Sequence, residues 1–358
     1  MKTNYASLKN TGALALLILL FCARPASAQP SVTVETNQIY GQAVDYTGSN
    51  VDLELDAYYV AGGQTNRPVM ILTHGGGFGA GDKGYTTAQG NFYPDMATAF
   101  ATNGYAAFSL NYRLWPGCPG GCTDEIAMAE EDVMTALNWI QTNSVHYGID
   151  TNRIVIGGDS AGGGLAVNVS YLNLRSFLAC ISLWGGVPPY GTVVHPVNLS
   201  AVTSETPPTC FIHGTADTIV PYAISVDLSS NLTAAGVYNE LHPLPGDNHY
   251  PVMVNGIYQT NLVSLIIRTM VTFANLEVGG KATAAPVHLG GKYLHAANGH
   301  FIFDLNGPTN FTVAVEQSND HMNSWQPVET DQLLNGAVLV TNTATNITQV
   351  FRARVISQ

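Results

Sequence analysis

The sequence predicts an α/β protein with a mostly parallel sheet and helices on both faces, followed by a small all-β unit. Strand-like and helix-like segments alternate from about residue 31 to residue 274, as in sheets with crossover helices. Several strand-like segments are continuous apolar runs, typical of strands covered on both faces. Beyond residue 279, only short strand-like runs separated by Asn, Gly and Asp remain, which indicates a sandwich.

The first residues have the pattern of a secretory signal peptide. Lys2 and Lys9 precede the apolar run ALALLILLFCA, and small residues lie at Ala26 and Ala28. The run is too short to span a bilayer, although a membrane anchor is the alternative. We therefore expect a leader over residues 1–28, cleavage after Ala28, and a secreted or periplasmic protein.

Residues 29–278 are predicted to form the larger domain. Two alternating segments read as half-buried antiparallel strands, and acidic residues in the first turns of one long segment favour a helix there. In order, the strands are SVTVETNQIYG, VDLELDAYYV, RPVMILTH, YAAFSLNYR, NRIVIGG, FLACISLWGG and TCFIHG, and the helices are NFYPDMATAFATNG, EIAMAEEDVMTALNWIQTN and YQTNLVSLIIRTMVTFANL.

A second domain is predicted over residues 279–358, where EVGGKATAAP reads as a linker. Its strands, FIFDL, FTVAVEQ, WQPVET, GAVLVTN and VFRARV, suit a small β-sandwich. With Trp325 and the Asn335–Gly336 turn, this tail resembles C-terminal β modules of secreted bacterial enzymes. Trp325 is expected either to pack in the core or to stack on a sugar.

Charge excludes several classes of partner. The net charge is −12, and it becomes −15 when Lys2, Lys9 and Arg24 leave with the leader. A chain this acidic has no electrostatic attraction for nucleic acid or anionic lipid. We expect a small or neutral partner, and no segment after the leader that is apolar enough to cross a membrane.

The cysteines agree with export and indicate no metal site. Cys118 and Cys122 lie in the turn-rich PGCPGGC, where a disulfide can form in an oxidising compartment. Cys180 and Cys210 lie within apolar runs and are expected to be buried small hydrophobes. There is no pair of CxxC motifs and no HExxH, so neither a metal nor a cofactor is expected.

The stretch GGDSAGGG surrounds Ser160 with glycines. A nucleophilic hydroxyl must project from a sharp turn, beside a base and near donors for an oxyanion. Such a strand-to-helix turn crowds the residues two positions away on either side, which here are Gly158 and Gly162. The sequence therefore predicts an exposed nucleophile at Ser160, although an ordinary turn serine gives the same short motif.

Two further segments complete the pattern. HGGGF, His74 to Phe78, follows a buried strand and reads as a loop whose amides approach a substrate, or as a merely flexible loop. Asp217 follows the strand TCFIHG, and His249 lies in a loop before the last helix, so the order is serine, acid, histidine. Asp247 and Asp159 are competing acids, whereas His213 and His242 are expected to form local hydrogen bonds.

Together, HGGGF, GDSAGG, HGTADTIVP and the late His249 resemble the α/β-hydrolase superfamily, specifically its secreted esterases and lipases. HGGGF with GDSAGG is similar to hormone-sensitive-lipase-like esterases, and HGTADTIVPY to feruloyl and acetyl-xylan esterases. The resemblance covers about residues 31–274. It implies Ser160 as nucleophile, His249 as base and then acid, and Asp217 as the residue that orients His249. It also implies oxyanion donors at the amides of Gly76, Gly77 and Ala161.

Substrate contacts are predicted less directly. Phe78, Trp184, Tyr190 and Tyr250 lie beside motifs or at strand ends, where aromatic rings either grip an acyl or phenolic group or simply pack. Residues 187–208 are too polar for a large lipase lid, which favours short-acyl or aromatic esters, small or polymer-linked. A serine peptidase of the same fold and a non-catalytic binding protein are the alternatives.

Overall fold

A computed structural model describes residues 31–62, 64–84, 91–117, 123–172, 176–186 and 202–278, and six strands between residues 288 and 357. Several sequence predictions fall outside the described residues. These are the leader, the Cys118–Cys122 disulfide, the residue 279–287 linker, Tyr190, Trp325 and most of the lid-like segment.

The core of the protein is an eight-stranded sheet with the order β1-β2-β4-β3-β5-β6-β7-β8. β1 pairs with β2 and β2 with β4 in antiparallel fashion, and every later neighbour is parallel. The mostly parallel sheet and its antiparallel start are therefore as predicted. The strands are β1 (Val32–Val44), β2 (Asn50–Val60), β3 (Arg67–Thr73), β4 (Ala106–Leu110), β5 (Ile149–Asp159), β6 (Ala179–Leu183), β7 (Thr209–Gly214) and β8 (Asn239–Leu244).

Helices cover both faces of the sheet. Successive strand side chains point to opposite faces, so each face contributes to its own apolar core and is buried by its own helices. One core joins the sheet to α2, α4 and α5, and the other joins it to α1 and α6. The helices are α1 (Phe92–Thr102), α2 (Thr123–Thr142), α3 (Ser144–Tyr147), α4 (Ser160–Tyr171), α5 (Ala223–Ala234) and α6 (Thr260–Val278). The small hairpin β9 (Met253–Val254) and β10 (Ile257–Tyr258) precedes α6.

One helix departs from the expectation that nothing after the leader is apolar enough to cross a membrane. Among the described residues, α6 has both the length and the mean hydropathy, 1.2, that a membrane-spanning helix requires. Its buried residues, among them Ile266, Met270 and Phe273, pack against the sheet. The core helix of a globular domain has the same composition, so hydropathy does not distinguish the two.

The C-terminal strands form two antiparallel three-stranded sheets, β11-β12-β15 and β14-β13-β16. The strands are β11 (His288–Ala297), β12 (His300–Asn306), β13 (Phe311–Ser318), β14 (Gln326–Leu333), β15 (Ala337–Thr343) and β16 (Val350–Ser357). All-β structure in this region agrees with the sequence. The domain boundary near residue 279 stays a prediction.

Candidate active site

Ser160 lies at a strained turn between β5 and α4. Its φ of +50° is in the left-handed region that non-glycine residues rarely adopt. A Cβ on Gly158 would lie 2.1 Å from the Thr73 oxygen and 2.8 Å from the Gly162 carbonyl carbon, and a Cβ on Gly162 would lie 2.0 Å from the same oxygen. The two glycines therefore allow this turn to pack directly against the end of β3, and that contact fixes the position of the Ser160 hydroxyl.

Three distant segments converge on that hydroxyl. Ser160 Oγ lies 2.9 Å from His249 Nε2, and His249 Nδ1 lies 2.7 Å from Asp217 Oδ2. Because Nδ1 faces a carboxylate, it carries the proton, and Nε2 is left to accept from the serine hydroxyl. The Asp217 side chain is fully buried, whereas 16% of the His249 side chain is exposed. The arrangement can pass a proton from serine to imidazole.

The acid is fixed by its own loop and by the histidine loop. Asp217 Oδ1 accepts from the backbone amides of Ile219 and Val220, at 2.8 and 2.9 Å. Asn248 Oδ1 accepts from the amides of Thr218 and His249, at 2.9 and 2.7 Å, which ties the two loops together. Sequence reasoning missed Asn248, although it directly precedes His249. The competing acid, Asp247, contacts this region through its main-chain oxygen, which accepts from the Ala216 amide at 2.9 Å.

A second histidine also touches the acid. His213 Nε2 lies 3.2 Å from Asp217 Oδ2 and 2.9 Å from the Val220 carbonyl oxygen, and Nδ1 lies 2.7 Å from the Ser225 hydroxyl. Because Nε2 faces two acceptors, it carries the proton, and Ser225 donates to Nδ1. Burial lowers the pKa of His213 and favours its neutral form. Local hydrogen bonds were predicted for His213, but not that one would reach Asp217.

The other competing acid, Asp159, lies beneath the glycine loop. Its carboxylate accepts from the Gly75 amide at 2.7 Å, from Trp184 Nε1 at 3.3 Å and from the Tyr93 hydroxyl. Burial raises the pKa of Asp159, and these donors act in the opposite direction. Asp159 thus connects β5, α1 and the loop, and Asp217 is the acid paired with His249.

The glycine loop has the backbone freedom that its sequence predicts. Gly76, Gly77 and Phe78 have φ values of +117°, +61° and +58°. A Cβ on Gly76 would lie 2.1 Å from the Ala80 carbonyl oxygen, so only glycine fits there. Ala161 is the second residue of α4, where a helix leaves its amides without intrahelical partners. Donation of these amides to an oxyanion stays a prediction.

The predicted pocket residues have different positions. Trp184 has no exposed surface, and its ring packs against the rings of Phe92 and Tyr250, with a centroid distance of 5.9 Å to each. The structure therefore assigns Trp184 to the core and not to a pocket wall, because no part of it can touch a ligand. Phe78 is 6% exposed and packs against Tyr112, and Tyr250 is partly buried directly after His249. Their contact with substrate stays a prediction.

Comparisons with known proteins find similarity to hydrolases and esterases. The BD-FAE family model matches residues 55–179. Phenmedipham hydrolase of Pseudarthrobacter oxydans is 34% identical over 39% of this chain and 27% of its own length. Carboxylesterase NlhH of Mycobacterium tuberculosis is 30% identical over 41% of each chain. The chain therefore spans less than half the length of these curated relatives.

Among solved structures, Thermogutta terrifontis esterase 2 phosphorylated by paraoxon superposes with a TM-score of 0.57. The match has 24% identity and covers 71% of this chain and 96% of that one. Similarity at this level establishes the fold. The chain has the α/β-hydrolase fold, and the predicted resemblance to esterases and lipases is confirmed.

Proposed function

We propose that this chain is a secreted serine carboxylic ester hydrolase that acts through an acyl-enzyme. The observation that carries the proposal is the continuous hydrogen-bond chain from Ser160 through His249 to the buried Asp217. The strained turn supports it, because backbone strain at a partly buried serine beside a base is typical of a nucleophile. The similarity to proteins named esterases and hydrolases points to the same class of reaction.

The reaction has two halves. Ser160 Oγ attacks the ester carbonyl carbon while His249 Nε2 takes its proton, and Asp217 stabilises the imidazolium. The amides of Gly76, Gly77 and Ala161 hold the oxyanion, and loss of one donor should cost about 3 kcal/mol of transition-state stabilisation. The C–O bond breaks, and the alcohol leaves with the proton from His249. Water then attacks the acyl-enzyme with His249 as base, and the acid is released as Ser160 recovers its proton.

The proposed substrates are small or polymer-linked esters with short acyl or aromatic groups. The strongly acidic chain supports a neutral substrate, because it would repel anionic polymers. Phe78 and Tyr250 are the proposed aromatic contacts. A panel of p-nitrophenyl esters of increasing acyl length, with feruloyl and acetylated sugar esters, tests this, and a preference for long acyl chains would contradict it.

The central test combines turnover with covalent labelling. The parental protein is expected to hydrolyse p-nitrophenyl acetate and to gain one phosphoryl group from paraoxon, detected by mass spectrometry. Ser160→Ala is expected to lose both, with kcat falling about 10⁴-fold or more. Ser170→Ala is the matched control, because Ser170 lies on the same helix but bonds to Val167 inside the core.

The same measurements separate the alternatives. Equal cleavage of an anilide and of the matching ester would favour a peptidase. A folded parental protein that neither turns over esters nor reacts with paraoxon would favour a binding protein, and would overturn the proposal.

A further inference from the structure

A second group of reactive side chains lies far along the sheet from Asp217. Cys210 is near the start of β7, whereas Asp217 follows the other end of that strand. In the parallel register, Cys210 is aligned with Glu240 on β8, the edge strand, and His242 follows two residues later. Side chains two residues apart on a strand share a face. Cys210, Glu240 and His242, termed here the edge cluster, therefore lie together.

The donor atoms of the edge cluster are close enough for one ion. One ligand atom from each residue lies within 4.8 Å of the other two. Glu240 Oε2 lies 2.7 Å from His242 Nε2, and Glu240 Oε1 accepts from the Tyr238 hydroxyl. Because all three residues belong to paired strands, the backbone holds these atoms in place before any ligand arrives.

The chemistry of the three donors is selective. A thiolate, an imidazole and a carboxylate together suit zinc, whereas Mg²⁺ and Ca²⁺ take oxygen ligands. The Cys210 side chain is fully buried, while 21% of the Glu240 and 42% of the His242 side chain is exposed. An ion can thus enter from solvent at the edge strand and reach the buried sulfur.

A further carboxylate lies nearby on α6. Glu277 Oε1 is buried and has no hydrogen-bond partner among the described residues. Phe273, one turn earlier on α6, packs its ring 5.8 Å from the ring of Tyr238, whose hydroxyl donates to Glu240, so this end of α6 lies beside the edge cluster. Glu277 is therefore the candidate fourth ligand in a tetrahedral set.

We propose that Cys210, Glu240 and His242 form a structural zinc site, with Glu277 or water in the fourth position. Binding forms a Zn–S bond as the Cys210 thiol releases its proton to solvent, and no redox step is involved. The ion would tie β8 to β7, and Glu277 would add the last turn of α6. The site would thus stabilise the sheet edge and leave the Ser160 chemistry unchanged.

Cobalt provides the probe, because Co²⁺ bound to thiolate has a near-ultraviolet charge-transfer band. The full chain is treated with chelator, titrated with Co²⁺, and then with Zn²⁺. We expect the thiolate band to appear with Co²⁺ and to disappear when Zn²⁺ replaces it. The Tm should be higher with zinc than in the chelator-treated protein. The chain contains other cysteines, Cys118 and Cys122 among them, so a series of variants assigns the site.

Cys210→Ala and His242→Gln are expected to weaken binding at least tenfold. Cys180→Ala is the matched control: Cys180 is equally buried on neighbouring β6, but it belongs to the core on the opposite face. If Cys210→Ala does not fold, His242→Gln decides, because 42% of that side chain is exposed and its replacement should not prevent folding. Unchanged binding in His242→Gln, or no thiolate band in the parental protein, would leave only a hydrogen-bonded cluster and overturn the proposal.

Discussion

Replacement of Gly162 by alanine should damage the candidate site without touching a polar side chain. The added Cβ would lie 2.0 Å from the Thr73 oxygen, 1.4 Å short of the ordinary contact distance of 3.4 Å. The neighbours at 2.5 Å are also backbone, the Thr73 carbon and the His74 oxygen, so no side chain can rotate away. The start of α4 must therefore move away from β3 by about 1 Å.

That displacement would separate the Ser160 hydroxyl from the Gly75–Phe78 loop. A misplacement of about 1 Å can cost roughly 10²-fold in rate, and overpacking costs about 1–3 kcal/mol of unfolding free energy. We expect kcat for p-nitrophenyl acetate to fall about 10²-fold and the Tm to fall by several degrees.

Gly117→Ala is the control for the same chemical change. The nearest atom to its added Cβ is Trp115 Nε1 at 4.0 Å, and φ is not in the left-handed region. This variant should retain parental activity and Tm. Parental kcat in Gly162→Ala would refute the close-approach reasoning, since the overlap would then have been absorbed without moving the nucleophile.

Three other perturbations test neighbouring features. Burial lowers the pKa of His74 to about 4, below the ordinary 6.5, so the unfolded chain binds a proton first as pH falls. Stability should drop by about 3 kcal/mol between pH 6.5 and 4, and His74→Gln should flatten that profile in urea unfolding. His213→Leu removes a donor to Asp217, so kcat should fall about tenfold and the acidic limb of the rate profile should move to higher pH. His213→Gln, whose amide can donate, should recover part of both, and equal defects in the two variants would argue against this role. Lys83→Met leaves the buried Asp56 and the half-buried Glu54 without their ion pairs, and should cost about 3 kcal/mol by thermal unfolding. Adding Asp56→Asn should recover part of that loss. An unchanged Tm in Lys83→Met would contradict the stabilising role of these ion pairs.

Much of the fold could be predicted because apolar periodicity is local information. Buried parallel strands such as β3 and β4 are continuous apolar runs, which sequence identifies directly. α5 was missed, and β8 was recognised only as a strand-like run around His242, both for physical reasons. α5 buries only Ser225, Leu228 and Leu232, and the edge strand β8 is partly exposed and contains Pro243, so neither has a strong period.

By itself, the sequence determined which residue types were available and where the chain must turn. The glycines around Ser160 predict a sharp turn because steric crowding acts within a few residues. Only the tertiary structure decided which side chains meet. It pairs His249 with Asp217, places Asp159 beneath a loop 84 residues away, and buries Trp184 in the core. Hydrogen bonds and burial depend on distances through space, and the packing of whole strands and helices sets those distances.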